Sequence, residues 1–532
     1  MRIGLGCFVC AAIIIAGVWA WLGKPVPMPQ APLAAGEKLW CVSYAPFRGS
    51  QTPLDPTTRI SADQIEDDLS RLAKLTRCVR VYSTDYGIDQ VAGIAAKHGL
   101  KVLQGLWLSS DPGKNRSEID NAVALANRYP DTVRAIVVGN EVLLRGEMTA
   151  GDLATTIRAV QARVRVPVTY ADVWEFWLRN AALAQSVDFV TVHILPYWED
   201  VPVAAPQAAA HVEAILQRVR DTFPGKEVVI GEVGWPSAGR MREGALPSPS
   251  NQARVIQDVL ALAKREHVDV NVIESFDAPW KRAFEGTVGG HWGILGDASR
   301  APKFTFGEAV SDHPDWPWQA AGGVLFAIFI FAAVMIARRG RRPGFFSWLA
   351  VTANALAGGL MLGWAVENVP LESLGIGAWM RSLGLVVLAF ASPVIASIAI
   401  VRQTPLPCIS RLLDGNDWRK ADRIAVLAGL VLIATLLIAL QVALGLVFDP
   451  RYKDFPFAPF TAAIVPLLVQ SFAVKRPAGA RGSAEIAGAG LLILSASYIL
   501  PNETLANWQS LWLCALFAAL ALTLTRGRDA PG

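Results

Sequence analysis

The chain has 532 residues, of which 53% are hydrophobic and 18% charged, a balance too apolar for a wholly soluble protein. Its net charge of +4 gathers into no basic face on the polar part, which excludes nucleic acid as a partner. The six cysteines form no paired CxxC motifs and the six histidines show no HxH or HExxH spacing, so no metal and no organic cofactor is expected.

In chain order, the first element is an apolar run near residues 5–22. It is long, and no small-x-small site follows it closely, so it reads as an uncleaved anchor rather than a signal peptide. Cys7 and Cys10 inside it read as small hydrophobes. Residues 1–37 form this span and a linker, 38–312 a globular domain, and 313–532 a membrane domain.

Within 38–312, eight short apolar runs alternate with amphipathic stretches. The predicted strands are Trp40–Ala45, Cys78–Tyr82, Lys101–Trp107, Ala135–Asn140, Val166–Ala171, Phe189–Ile194, Glu227–Gly231 and Asn271–Phe276. Helix starts are marked by Ser61 with Gln64, Ser117 with Asp120, and Thr149 with Asp152. This α/β pattern predicts a (β/α)8 barrel. A doubly wound sheet competes, but its usual Gly-rich first turn is missing. Cys41 and Cys78 open neighbouring strands, and either a disulfide or two buried thiols fits that placement.

Two predicted strands stop at acids, in Val138-Gly139-Asn140-Glu141 and in Val229-Ile230-Gly231-Glu232-Val233-Gly234-Trp235-Pro236. In a barrel, strand ends on the C-terminal rim carry the chemistry. Two carboxyls about 5–5.5 Å apart serve a retaining glycosidase, and about 6.5–9.5 Å an inverting one. Glu141 suits the proton donor, which needs a raised pKa, and Asn140 beside it suits the sugar 2-hydroxyl. Glu232, kept ionised, would attack the anomeric carbon. The competing reading makes both acids rim salt-bridge partners.

Aromatic residues cluster at the same predicted rim: Tyr44, Tyr82, Trp107, Trp174, Trp177, Tyr197, Trp198, Trp280 and Trp292. Flat rings with a polar edge suit pyranose faces. Tyr44, Tyr82, Asn140, Tyr197, Trp235, Trp280, Lys281 and Trp292 are the expected substrate-binding residues. Lys281 and Glu285 fit either an ion pair that positions the cleft or two surface charges, and His193 reads as a satisfied barrel residue.

These motifs, with Val42-Ser43-Tyr44-Ala45-Pro46-Phe47, Val79-Arg80-Val81-Tyr82, Phe276-Asp277-Ala278-Pro279-Trp280-Lys281 and His291-Trp292-Gly293, make 38–312 resemble glycoside hydrolase family 17. That is the β-1,3-glucanase and β-1,3-glucan transglucosylase family. The resemblance implies Glu232 as nucleophile, Glu141 as acid/base, and retention. Val233 and Ala278 depart from the family pattern, which bears on the innermost sugar subsite and linkage specificity.

Beyond 312, apolar runs lie near 317–337, 345–365, 379–401, 424–447, 457–474, 484–500 and 507–525, with the 484–500 run weakest. Fifteen basic residues fall on one side of this threading: Arg2, Arg338, Arg339, Arg341, Arg342, Arg402, Arg411, Arg419, Lys420, Arg423, Lys475, Arg476, Arg481, Arg526 and Arg528. Only Arg451 and Lys453 lie in the opposite short loops, with Arg381 near a boundary. The bias predicts both termini in the cytoplasm and the 38–312 domain outside, which in a Gram-negative cell is the periplasm.

Asn354, Gln441 and Gln470 are polar, but no acid or lysine sits centrally in a span, which argues against ion-coupled transport. No GxxxxGK[ST] loop supports ATP use. The tail is similar to that of bacterial membrane-bound family members linked to periplasmic β-glucan synthesis. It anchors the barrel in the bilayer near emerging glucan, and a glucan synthase is the partner a docking surface would serve. The expected activity is a β-glucan transglucosylase acting through a glucosyl-enzyme. A plain endo-β-1,3-glucanase and a non-catalytic glucan-binding scaffold are the alternatives.

Overall fold

A computed structural model describes residues 2–413, 422–475 and 482–526. Among the basic residues used for orientation, Arg419, Lys420, Arg476, Arg481 and Arg528 lie outside these residues. The chain divides into two units: Val26–Gly239 with Gly244–Val310, and Met1–Pro25 with Arg240–Glu243 and Ser311–Gly532.

The first unit is a closed barrel of eight parallel strands in chain order: β1 Cys41–Ser43, β2 Cys78–Val81, β3 Lys101–Leu106, β4 Val133–Asn140, β5 Val168–Val173, β6 Val190–His193, β7 Val228–Val233 and β8 Val270–Val272. β1 pairs with β8 to close it. All eight predicted strands occur. Val26 pairs antiparallel with Val310, so the segment expected as a linker is part of the barrel unit.

Strand alternation builds two layers. Val79, Val81, Val102, Val190, Val192, Val228 and Ile230 face out and join the large core under the helices. The inward set is apolar near the strand starts, where Cys41, Cys78, Leu103, Ala135, Val137 and Ala171 cluster. Towards the strand ends the buried residues turn polar, with Ser43, Arg80, His193 and Asn271. Cys41 and Cys78 are joined by a disulfide, which resolves the open choice.

Ser61 and Thr149 cap their helices as expected, accepting from Gln64 N and Asp152 N. Ser117 does not. Asp111 caps that helix, and Pro112 at its first turn starts it six residues earlier than the Ser117 signal suggests.

Among the described residues, the second unit contains seven helices long and apolar enough to cross a membrane: Arg2–Leu22, Trp316–Ala337, Phe345–Glu372, Gly375–Arg402, Arg423–Phe448, Ser483–Glu503 and Trp508–Thr525. The weak 484–500 run meets that standard, while Phe457–Ala473 is an apolar helix one residue short of it. Small residues let these helices close in: a Cβ on Gly323 would meet the Gly359 carbonyl at 2.1 Å. Asn354 Nδ2 donates to Ser397 Oγ at 3.0 Å and Gln470 Nε2 to the Thr404 carbonyl at 3.2 Å.

Candidate active site

Alternation alone would turn Asn140 and Glu232 away from the barrel axis, because Ile136, Val138, Val228 and Ile230 on the same strands face out. A β-bulge in each strand reverses this. On β4 the register steps from Val137↔Thr169 to Asn140↔Ala171, spending one extra residue. Gly139 sits there at φ 87°, which favours glycine. On β7 the register steps from Val192↔Ile230 to His193↔Glu232, so Gly231 is the extra residue. A Cβ on Gly231 would lie 2.4 Å from the Thr191 methyl, so the close approach requires glycine.

Each motif therefore carries its glycine directly before the residue that must turn inward. Glu141 follows at φ 53°, a left-handed conformation that costs a non-glycine residue about 1–3 kcal/mol and gathers at functional sites. Its backbone N–H donates to the Ala171 carbonyl at 2.8 Å, which holds the turn.

One oxygen each of Glu141 and Glu232 and a nitrogen of His193 all lie within 4.8 Å of one another. That spacing falls near the short carboxyl separation of a retaining pair, well inside that of an inverting one. Arg80, buried on β2, organises the centre. Its Nη1 donates to the Gly231 carbonyl at 2.8 Å and to Glu232 Oε1 at 3.2 Å, and lies 3.2 Å from His193 Nε2. Its Nη2 donates to Asn140 Oδ1 at 2.5 Å. This orients the Asn140 amide, because a guanidinium can only donate. Tyr82 donates its hydroxyl proton to Glu232 Oε1 at 2.8 Å. Burial and the Glu232 charge hold the Tyr82 phenol well above its usual pKa, so it remains a donor.

The Glu141, His193 and Glu232 donor atoms are the one group close enough to share a metal ion among the described residues. The Arg80 cation wedged against two of them makes the site unfavourable for a second cation.

Glu141 departs from expectation. Burial pushes its carboxyl up, but the His193 hydrogen bond and the Arg80 and Arg145 charges outweigh burial and hold it below the ordinary value. The raised pKa anticipated for a proton donor is absent from this unliganded site. Sequence reasoning weighed the rim position and lacked the donor beneath it.

The cleft acids extend further. Glu274 is 2% exposed, and burial raises its pKa. Lys281 Nζ donates to Glu274 Oε2 at 2.8 Å. Lys281 thus bonds Glu274 just beyond β8 rather than Glu285, whose charge still acts on it through space. Burial pushes Glu285 up to about 7, with Lys281 opposing and the other acids reinforcing. On β5, burial pushes Asp172 up to about 6, with the Tyr170 hydroxyl opposing and Glu141 reinforcing.

The expected aromatic residues divide. Tyr44, Tyr197 and Trp235 are fully buried and Trp292 is 2% exposed. Tyr44 donates to Asp68 Oδ2 at 3.0 Å, and Trp235 Nε1 donates to the Leu246 carbonyl at 3.0 Å. These four side chains join the large core around the barrel, held there by the packing of the segments that follow the strands. Trp177 is likewise buried. Tyr197 packs edge-on against Trp198, Trp235 and Trp292, and Trp198 stacks on Trp292 at 6.4 Å. Trp280, half-buried, packs edge-on against Phe47. Trp107 is 38% exposed with the Arg145 guanidinium 4.2 Å over its ring.

Sequence reasoning singled out neither Arg80 nor Glu274, and it set His193 aside. A charged residue inside an apolar strand, as in Cys78-Val79-Arg80-Val81, was the available signal for Arg80.

Residues 41–293 match the family described as the BtgE/BtgC glycoside hydrolase domain. The chain is 27% identical over 263 residues to a glucan 1,3-beta-glucosidase of Saccharomyces cerevisiae, covering 45% of this chain and 84% of that protein. It is 28% identical over 280 residues to a probable glucan endo-1,3-beta-glucosidase of Aspergillus clavatus, covering 46% of this chain and only 38% of that one. Among solved structures, it is similar to that of a glycoside hydrolase family 17 beta-1,3-glucanosyltransferase from Rhizomucor miehei. There the identity is 26% and the TM-score 0.45, over 50% of this chain and 97% of that one.

Proposed function

We propose that the chain is a membrane-bound, retaining β-glucan transglucosylase whose barrel works as a glycoside hydrolase domain similar to the BtgE/BtgC kind. It is an enzyme that acts on β-glucan glycosidic bonds. The observation that carries the finer reading is the pair of acids, Glu141 and Glu232, with oxygens within 4.8 Å and both in contact with His193.

Glu232 attacks the anomeric carbon while Glu141 protonates the departing glucan oxygen, leaving a glucosyl-enzyme. Arg80 and Tyr82 both donate to Glu232 Oε1, which aims the carboxylate. Glu141, now a carboxylate, takes the proton of the acceptor hydroxyl as that oxygen bonds to the anomeric carbon and Glu232 departs. The proton gained from one acceptor serves the next leaving group. Asn140, with its oxygen held by Arg80, presents its amide N–H groups towards a sugar hydroxyl.

The membrane setting supports transfer over hydrolysis. A barrel tethered by apolar helices on the outer face meets nascent glucan, with the bilayer and a glucan synthase as its partners. The Cys41–Cys78 disulfide supports an oxidising, extracytoplasmic compartment. Endo-β-1,3-glucanase action is the second reading, favoured by the activities for which the relatives are named.

Incubating the full-length protein with a short β-1,3-glucan distinguishes the two. Longer or branched products support transfer, and only shorter ones support hydrolysis. Glu232→Gln is expected to abolish both, and retained turnover would refute its role as nucleophile.

A further inference from the structure

His193 is fully buried at the end of β6, and both of its ring nitrogens face the catalytic centre. Nδ1 lies 2.9 Å from Glu141 Oε1. Nε2 lies 3.2 Å from Arg80 Nη1 and 3.6 Å from Glu232 Oε1. Arginine remains protonated in proteins and has no acceptor, so the nitrogen against it must accept. The Glu232 oxygen is too far for Nε2 to donate to it. The ring proton therefore sits on Nδ1 and points at Glu141.

We propose that His193 is a positioning residue whose tautomer, imposed by Arg80, makes it an obligatory hydrogen-bond donor to the Glu141 carboxylate. It thereby favours the general-base half of the catalytic cycle, in which an acceptor is deprotonated. This rests on the retaining mechanism proposed above. His193 donates through Nδ1–H to Glu141 Oε1 whether the acceptor's proton is absent or resides on Oε2. The arrangement favours a glucosyl-enzyme that is always ready to activate an incoming hydroxyl.

Other groups share this environment: Arg80 on β2, Tyr170 and Asp172 on β5, Glu232 on β7, Arg145 after β4, and Glu274, Lys281 and Glu285 at and beyond the end of β8. Burial pushes Asp172, which interacts with both Glu141 and His193, up to about 6, so Asp172→Asn serves as the background in which the His193 effect is measured again.

The test compares pH profiles of the full-length protein carrying His193→Leu or His193→Asn. The substrates are a laminari-oligosaccharide, whose cleavage needs the acid form of Glu141, and a dinitrophenyl glycoside of laminaribiose, whose slow step needs the base form. A lost donor raises the Glu141 pKa. His193→Leu is expected to move the basic limb of kcat/KM on the oligosaccharide and the acidic limb of kcat on the activated substrate upward together, by about one pH unit.

His193→Asn, whose side-chain amide can replace Nδ1–H, is expected to keep the wild-type limbs. Unmoved limbs in His193→Leu, or an equal shift in both variants, would overturn the inference. If His193→Leu does not fold, His193→Ala provides the same comparison. If Asn alone is folded among the three variants, the residue is structural and the inference falls. Absence of wild-type turnover on β-1,3-glucan would remove the underlying mechanism as well. Turnover with unmoved limbs removes this inference alone.

Discussion

Arg80 does the work of several residues. One buried guanidinium fixes the Asn140 amide, the His193 tautomer and the Glu232 carboxylate. A lysine keeps the charge but cannot form the fork. Arg80→Lys is expected to lower kcat about 10–100-fold with KM little changed, the loss of one charge-assisted hydrogen bond of about 1.5–3 kcal/mol. Steady-state kinetics on a laminari-oligosaccharide measure this. The two acids were legible because a β-branched run ending in a carboxylate is unusual on its face. Arg80 was not, because its meaning depends on groups from β4, β6 and β7 meeting on one axis. Tyr44, Tyr197 and Trp235 were misjudged for the opposite reason. Proximity to a strand end is visible in a sequence, but whether a ring lies above or beneath the rim is set by tertiary packing.

At the level of elements, the eight strands and most helices follow from local pattern, since each apolar run is bounded by turn chemistry. The bulges do not. Strict alternation would have faced Glu232 outwards, and one additional residue in β7 turns it in. Gly139 makes the equivalent step possible on β4. A Cβ there would meet the Val142 side chain at 2.5 Å. Gly139→Ala is therefore expected to reduce kcat at least about tenfold, because the displaced turn carries Glu141. Gly225→Ala is the control: its φ is also positive, at 80°, but no atom lies within 4 Å of the added Cβ. It should lose stability and retain kcat, as read by thermal denaturation beside kinetics. At the other end of the barrel, the Cys41–Cys78 bridge closes a loop of 37 residues. Replacing both by serine is expected to cost about 3–4 kcal/mol in a denaturant titration, with kcat of the folded protein unchanged.

The whole molecule couples a polar catalytic barrel to a helical unit of membrane-spanning character. Composition made this division visible, because apolar runs of span length need no tertiary information. Phe457–Ala473 shows the limit of that reading, since its apolar stretch is shorter as a helix than its sequence window suggests. Orientation follows from the basic residues, and a reporter active only outside the cytoplasm tests it. Fused after Arg526, the reporter is expected to be silent, and inserted at Val26 it is expected to be active; the reverse result would invert the topology. The central claim is covalent catalysis by Glu232 with Glu141 as its partner. Its most direct measurement uses the full-length protein and a 2-fluoro-2-deoxy-laminaribiosyl fluoride, followed by mass spectrometry of the trapped peptide. One 2-fluoro-laminaribiosyl group is expected on the peptide carrying Glu232. A label on another residue, or turnover that inverts the anomeric configuration, would contradict it.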